Sequence, residues 1–365
     1  MTGTLLRYVV RTYLQFFLGI LAAVLAIFLV ADFVDRGRSY TGEGWVGAAA
    51  LLYANKALVA AHQLGPAAML LAAGATVSSL RKKGEVTAMR ALTFGPAALY
   101  LPIGLCAAVL CFGLVVFDET VVVRAGRRVD EINTQRFNRW GDWRFYYTPK
   151  QWFRRGDRVF YLRGGDAEGG FEDATVLTLT EDFRLRRRLD AERMRPLDGT
   201  RWELTGVVER TFTAEGATQL RAAPNEVVDL GVAGKAFRIR PGRPEQMRVP
   251  QLRQQLVARA EVGLPTALFS LALHNRFAYG LAGLPAALLA VGLALRPGRR
   301  GHLTVAMVEG LIVVVVLWGM MVVGRTLATN AHVAPWLAAW MPSLVLSVAS
   351  AALWARTEGF RRGKR

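Results

Sequence analysis

Six long apolar segments, three on each side of a polar block, constrain the fold of this chain more than any other feature. A helix of about 20 predominantly apolar residues is long enough to cross the hydrocarbon core of a bilayer. One of these segments, 303–324, is interrupted only by Glu309. The other five contain no Asp, Glu, Lys or Arg and are 12–31, 57–80, 91–117, 277–295 and 326–355. The sequence therefore predicts an α-helical polytopic membrane protein with six transmembrane helices in a 3+3 arrangement around one inserted domain.

The basic residues are distributed as in a membrane protein and not as in a nucleic-acid-binding protein. The net charge is +18, and the cytoplasmic loops of membrane proteins are enriched in Lys and Arg. If the N-terminus lies inside, the inner segments hold fourteen Lys and Arg residues and the two short outer loops hold three. We therefore predict that both termini are cytoplasmic, that the central block is exported, and that nucleic acid is not a partner.

The central block, 119–263, has the pattern of a β domain. Four runs rich in β-branched and aromatic residues, at 159–162, 174–179, 201–208 and 218–221, alternate with turns that contain glycine. These turns are at 164–165, 169–170, 198–199 and 215–216. Short strands without helices between them predict a sandwich or jelly roll, and a polar helix at about 249–260 leads back to the membrane. The predicted domains are 1–118 with transmembrane helices 1–3 and a cytoplasmic segment at 81–95, 119–263 as an all-β jelly-roll domain, and 264–365 with helices 4–6.

Period-two alternation leaves one apolar face on each predicted strand. Such a face is suited to carrying acyl chains, and the alternative is a filled core without a groove. The candidate inward-facing residues are Phe160, Leu162, Val176, Leu177, Leu179, Trp202, Leu204 and Val207. The only cysteines, Cys106 and Cys111, lie in the third apolar segment, so this domain folds without disulfides.

The loop after the second apolar segment is the most suggestive local feature. Glu85, Val86, Met89 and Leu92 recur at helical spacing, and Arg90 lies beside them. A short helix with this pattern offers a mixed charged and apolar face to a cytosolic protein. The alternative is an ordinary basic loop on the inner side of the membrane.

Charged residues at two further places are candidate site residues. Glu309 lies in an apolar segment, and ionisable groups at such a depth are functional candidates by default; the alternative is pairing with Arg299 or Arg300 near the inner headgroups. At the outer end of the first segment, the candidate substrate-binding residues are Asp35, Arg36 and Arg38. Arg makes charge-assisted, often bidentate, hydrogen bonds to phosphate, whereas the alternative is a helix end that extends its charges to water.

No catalytic or nucleotide-binding motif accompanies these segments. The chain has no Walker A sequence, and its four histidines are scattered. His62 is more simply explained as an interior or headgroup-level histidine than as a proton relay. We therefore expect no enzyme activity, no metal site and no cofactor on this chain.

The order of several short motifs resembles the lipopolysaccharide-export permease family LptF/LptG over nearly the whole chain. The segment 85–94 is similar to the family's coupling segment, and 33–35 and 334–342 resemble LptG more than LptF. Thr93 stands where the family usually has Gly. The other similar segments are 6–11 at the start of the first span, 182–185, 191–194 and 198–204 in the jelly roll, and 244–247 before the fourth span.

This resemblance implies a permease subunit of an ABC-type exporter that extracts lipopolysaccharide from the bacterial inner membrane. It implies an LptF-like permease partner, and an LptB-like ATPase dimer that holds ATP and Mg²⁺ and contacts Glu85, Val86, Met89 and Arg90. It also implies that LptC- and LptA-like periplasmic jelly-roll proteins receive the lipid. Two alternatives remain: a mechanotransmission-type ABC permease, which usually has four spans, and a membrane-anchored periplasmic β-domain protein without transport activity.

Overall fold

The structure, a computed structural model, describes residues 3–137, 150–166, 170–212, 218–233, 243–261, 264–296 and 302–362. Its contacts divide the chain into two units, 1–141 with 271–365, and 142–270. The helices of the described residues are α1 Gly3–Arg36, α2 Trp45–Lys82, α3 Glu85–Ala91, α4 Ala97–Phe117, α5 Val123–Gln135, α6 Val249–Glu261, α7 Ala267–Ala294, α8 Leu303–Thr329 and α9 Pro335–Arg362.

The six predicted transmembrane helices are confirmed. Six helical stretches in the described part of the chain are long and apolar enough to cross a membrane. They are α1, α2, α4 with its continuation into α5, α7, α8 and α9. The polar helix expected at about 249–260 is present as α6.

Small residues bring α2, α4 and α7 together. The run Ala67–Ala75 of α2 is buried for most of its length, with Ala72, Ala73 and Ala75 inaccessible to solvent. A Cβ atom added at Gly283 of α7 would collide with the Met69 sulfur and lie 3.2 Å from the Cys111 sulfur. Because these backbones approach so closely, the helices pack by close contact of small side chains, as the sequence predicts.

The third membrane helix does not stop at Phe117. A π-helical turn, Asp118–Val122, carries it into α5, so the chain remains helical to Gln135. The sequence placed these residues at the start of the β domain because Asp118 and Glu119 end the apolar run. The domain limits at 119 and 263 stay predictions.

The inserted domain is all-β, as predicted, and its described strands form one antiparallel sheet; the jelly-roll arrangement stays a prediction. Its strands pair in sequence order, each with the next. They are β1 Lys150–Arg155, β2 Arg158–Asp166, β3 Gly170–Leu179, β4 Leu185–Pro196, β5 Arg201–Phe212 and β6 Thr218–Asp229. The four predicted runs fall within β2, β3, β5 and β6, and Asp198 with Gly199 forms the β4–β5 turn.

One face of this sheet holds a closely packed apolar cluster. Trp202 is inaccessible to solvent, and its indole N–H donates to the Val232 carbonyl at 2.7 Å. Six of the candidate inward-facing residues belong to the cluster: Phe160, Leu162, Val176, Trp202, Leu204 and Val207. Leu177 and Leu179 do not belong to it and are half-buried.

Some predictions fall outside the described residues. These include the turns at Gly169 and at Glu215–Gly216, and the basic turn after the fourth span, of which 297–301 are not described. The predicted pairing of Glu309 with Arg299 or Arg300 falls there too.

Candidate functional site

The loop after α2 forms the short helix α3, which has two different faces. Gly84 starts it in a left-handed conformation with φ +77°, which glycine adopts without strain. Val86 and Met89 turn inward and are 5% and 9% exposed, in the same buried cluster as the membrane helices. Thr87, Ala88, Arg90 and Ala91 are exposed, and Leu92 is 69% exposed. The face that is open to a partner is therefore polar with one large apolar residue at its end.

The end of α3 has the hydrogen bonds of a Schellman motif. The Phe94 amide donates to the Met89 carbonyl, and the Thr93 amide donates to the Arg90 carbonyl. This geometry places Thr93 at φ +63°, where a β-branched residue is an outlier. Glycine adopts this conformation without strain, so threonine is an unusual residue at this position.

Glu85 is tied to the first helix. The Tyr8 hydroxyl of α1 donates to Glu85 Oε1 at 3.0 Å. Glu85 itself is half-buried at the start of α3. No local sequence pattern predicts this contact, because the two residues are 77 positions apart.

At the opposite end of α1, the carboxylate of Asp32 lies close to three side-chain donors. Its Oδ2 accepts from the Lys56 ammonium at 2.5 Å and from the Tyr53 hydroxyl at 2.8 Å. Its Oδ1 lies 3.2 Å from the Arg36 Nε. The side chains of Asp32 and Lys56 are 12% and 11% exposed, so this ion pair is largely removed from solvent.

Aromatic rings surround this ion pair. The Tyr53 ring makes edge contacts with Phe33 at 5.5 Å and Tyr40 at 6.0 Å. The Tyr40 ring also lies 4.7 Å from that of Phe137, just beyond α5. The rings join α1, α2 and the end of the α4–α5 stretch, and they shield Asp32 and Lys56.

The three predicted substrate-binding residues have different surroundings. Arg36 is paired with Asp32 and lies 4.0 Å from Asp35. Arg38 is exposed in a 3₁₀ turn, Gly37–Ser39, and the Asp35 side chain is 81% exposed. Arg38 is therefore open to an anion, whereas an anion at Arg36 competes with Asp32.

A second buried ionic group joins three membrane helices. Arg276 Nη1 of α7 lies 2.8 Å from Asp118 Oδ2 and 3.4 Å from Glu119 Oε2 in the π-helical turn. His62 of α2 approaches the other Asp118 oxygen at 3.8 Å. Arg276, Asp118 and His62 are 7–8% exposed, so each charge depends on its neighbours for stabilisation. His62 therefore lies in the interior, which is one of the two positions that the sequence allowed for it.

Sequence reasoning missed Lys56, Arg276 and Asp118 as partners in these groups. Arg276 was placed just outside the fourth span, yet α7 starts nine residues before it. Its charge inside a long apolar helix was the available signal. Glu309 lies half-buried in α8 and makes interactions of its own.

The fold defines a polytopic membrane protein with one inserted antiparallel β domain. The lipopolysaccharide export system permeases LptF/LptG match residues 7–356, and the chain belongs to this family. It is thus a permease subunit of lipopolysaccharide export in the inner membrane, and not an enzyme. The match does not separate LptF from LptG, so the closer similarity to LptG stays a prediction. A search among curated proteins returns no match.

Proposed function

We propose that this chain is one half of the permease of an ABC-type exporter that extracts lipopolysaccharide and passes it to a periplasmic bridge of jelly-roll proteins. The other half is an LptF-like subunit, and LptC- and LptA-like proteins form the bridge. The termini are cytoplasmic and the β domain is periplasmic. The family match across residues 7–356 is the observation that carries this proposal.

Energy for the transport comes from a separate cytosolic LptB-like ATPase dimer, which holds ATP and Mg²⁺. The exposed face of α3 supports this part of the proposal. Arg90 and Leu92 are accessible, whereas Val86 and Met89, on the opposite face of α3, are buried and pack into the core of the membrane helices. A force applied to the exposed face of α3 is therefore transmitted to the packed membrane helices directly, without a flexible segment between them.

The outer end of α1 supplies the anion-binding part of the path. Lipid A carries phosphates, and Arg38 is open to them. Asp32 neutralises part of the charge of Arg36 and Lys56, so the cationic character of this end is concentrated on Arg38.

Co-purification from native membranes tests the whole proposal. The chain, extracted in mild detergent, should carry a second permease subunit, an ATPase and lipopolysaccharide, identified by mass spectrometry. Recovery of the chain without an ATPase and without lipopolysaccharide, under conditions that preserve other membrane complexes, would contradict it. An ATPase without lipopolysaccharide would favour the mechanotransmission alternative.

Replacement of Glu85 by Ala tests the coupling role. The change removes a carboxylate from the start of α3 while Val86 and Met89 keep the helix in place. We expect weaker ATPase association or ATP hydrolysis without lipid release, in a protein that inserts normally. Normal transport together with full ATPase co-purification would exclude this role for Glu85.

A further inference from the structure

A hydrogen bond joins the N-terminal end of α1 to Glu85, the first residue of α3. The Tyr8 hydroxyl donates to Glu85 Oε1 at 3.0 Å, although the Tyr8 side chain is largely accessible. Hydrogen bonds to an ionised acceptor are stronger than those between neutral groups. The bond therefore restricts the rotamers of a carboxylate that would otherwise move freely at the start of a short helix.

Both helices also contribute to the same apolar core. Val9 and Tyr13 of α1 are inaccessible to solvent. They belong to the buried cluster that contains Val86 and Met89 of α3. The hydrogen bond at Tyr8 thus joins two helices that are parts of one packed unit.

α1 is a single uninterrupted helix between the two candidate sites. It runs from Gly3 to Arg36 without a proline, and at 1.5 Å per residue it is about 50 Å long. α2, by contrast, contains Pro66. Tyr8 lies near one end of α1, and Asp32 and Arg36 lie near the other. A displacement of the inner end therefore reaches the outer end through one rigid element.

We propose that Tyr8 is a positioning residue for coupling: its hydroxyl orients Glu85 towards the ATPase and makes α1 move with α3. This inference rests on the proposed function, in which the ATPase contacts Glu85. A carboxylate has two acceptor oxygens, so Tyr8 can hold Oε1 while Oε2 accepts from a basic group of the ATPase. Tyr8 itself does not contact the ATPase in this mechanism.

A double-mutant cycle with Tyr8→Phe and Glu85→Ala tests the proposal. The complex of this chain with its permease partner, in nanodiscs, is titrated with the purified ATPase. Tyr8→Phe should weaken binding about three- to tenfold, the size of one net hydrogen bond. In the Glu85→Ala background, which has no side-chain acceptor for the Tyr8 hydroxyl, the same change should have an effect of less than about twofold.

Tyr13→Phe is the matched control, since it removes a hydroxyl from the same helix that donates to the Met69 carbonyl and not to Glu85. It should leave ATPase affinity unchanged and be additive with Glu85→Ala. A purely structural role of Tyr8 predicts additive effects, and additivity would overturn the inference.

The outcomes separate this inference from the proposed function. If Glu85→Ala weakens binding and Tyr8→Phe does not, the role of Tyr8 is wrong and the coupling role of Glu85 stands. If Glu85→Ala itself has no effect, both are wrong.

Discussion

Thr93 ends α3 in a conformation that threonine adopts only with strain. Its φ of +63° is accessible to glycine at no steric cost. Thr93→Gly should therefore stabilise the end of α3, by about 0.5–1 kcal/mol. Hydrogen–deuterium exchange should show slower exchange of the amides of 85–94.

Thr87→Gly provides the control for this prediction. Thr87 lies inside α3 in an ordinary helical conformation, where glycine costs up to about 1 kcal/mol. The two substitutions should change the exchange rate in opposite directions. Faster exchange in both variants would show that the strain at Thr93 is not released by glycine.

Asp32 compensates the charge of a lysine that has little access to water. Asp32→Asn leaves the ammonium of Lys56, whose side chain is 11% exposed, without its anion. We expect a loss of stability of about 1–3 kcal/mol, measured as a lower unfolding temperature in detergent. Asp35→Asn is the control, because the 81% exposed Asp35 is 4.0 Å from Arg36. Equal effects of the two changes would contradict the prediction.

The residue types of the candidate sites could be read from the sequence, but their partners could not. Helical spacing predicted α3 and its Glu85 and Met89 because such contacts are local. The pairing of Asp32 with Lys56, 24 positions away, depends on how α1 and α2 pack. No local pattern carries that information.

At the scale of elements, hydropathy located the apolar centres of the helices and misplaced several ends. α7 starts at Ala267, ten residues before the predicted span, and α4 continues past Asp118. Both errors have one cause. Arg276 and Asp118 neutralise each other between helices, so charges that mark a boundary in a linear scan lie inside the packed structure.

The β-rich pattern did not reveal β4 for a related reason. The strand contains five Arg residues among its twelve, yet Leu189, Ala191 and Met194 are buried. Cross-strand partners offset the charges: Arg187 lies 2.6 Å from Glu209 of β5, within the sheet. Opposite charges on neighbouring strands stabilise the pairing, and a single strand does not show its partner.

Arg276 and Asp118 provide a prediction at this scale. Arg276→Leu removes the guanidinium that neutralises Asp118, which is 8% exposed. Removing one partner of a buried ion pair costs about 3–5 kcal/mol. We expect a markedly lower unfolding temperature in detergent and poor expression.

The double variant Arg276→Leu/Asp118→Leu tests whether charge is the cause. Replacing both members of a buried ion pair by apolar residues of similar size is often neutral. The double variant should therefore unfold at a temperature closer to that of the unchanged protein. A double variant less stable than either single variant would show that packing, and not charge balance, governs this position.

At the scale of the whole molecule, the architecture was predictable because the bilayer demands long apolar helices and leaves few alternatives. The alternation of the strands likewise identified six residues of the apolar cluster of the β domain. A role of this cluster as a lining for acyl chains requires more than the presence of these residues. The residues of that cluster are in contact with one another and buried, so opening a groove among them requires the sheet to move.

The outer end of α1 carries the last prediction, which concerns the substrate. Arg38 is exposed and Arg36 is partly neutralised by Asp32, so lipid phosphates should depend more on Arg38. Arg36→Glu/Arg38→Glu should reduce lipopolysaccharide loading at least about tenfold, since two repulsive charges replace two attractive ones. Arg38→Glu alone should account for most of this loss, and the lysine variants should retain much of the loading.

Crosslinking measures this effect directly. A photo-crosslinker at position 38 should capture lipopolysaccharide in membranes, and ATPase association should be unchanged in all of these variants because they lie at the other end of α1. Loss of ATPase association would point to misfolding. If variants with the crosslinker at position 36 or at position 38 insert normally into the membrane and neither captures lipopolysaccharide, this end of α1 is excluded from the lipid path.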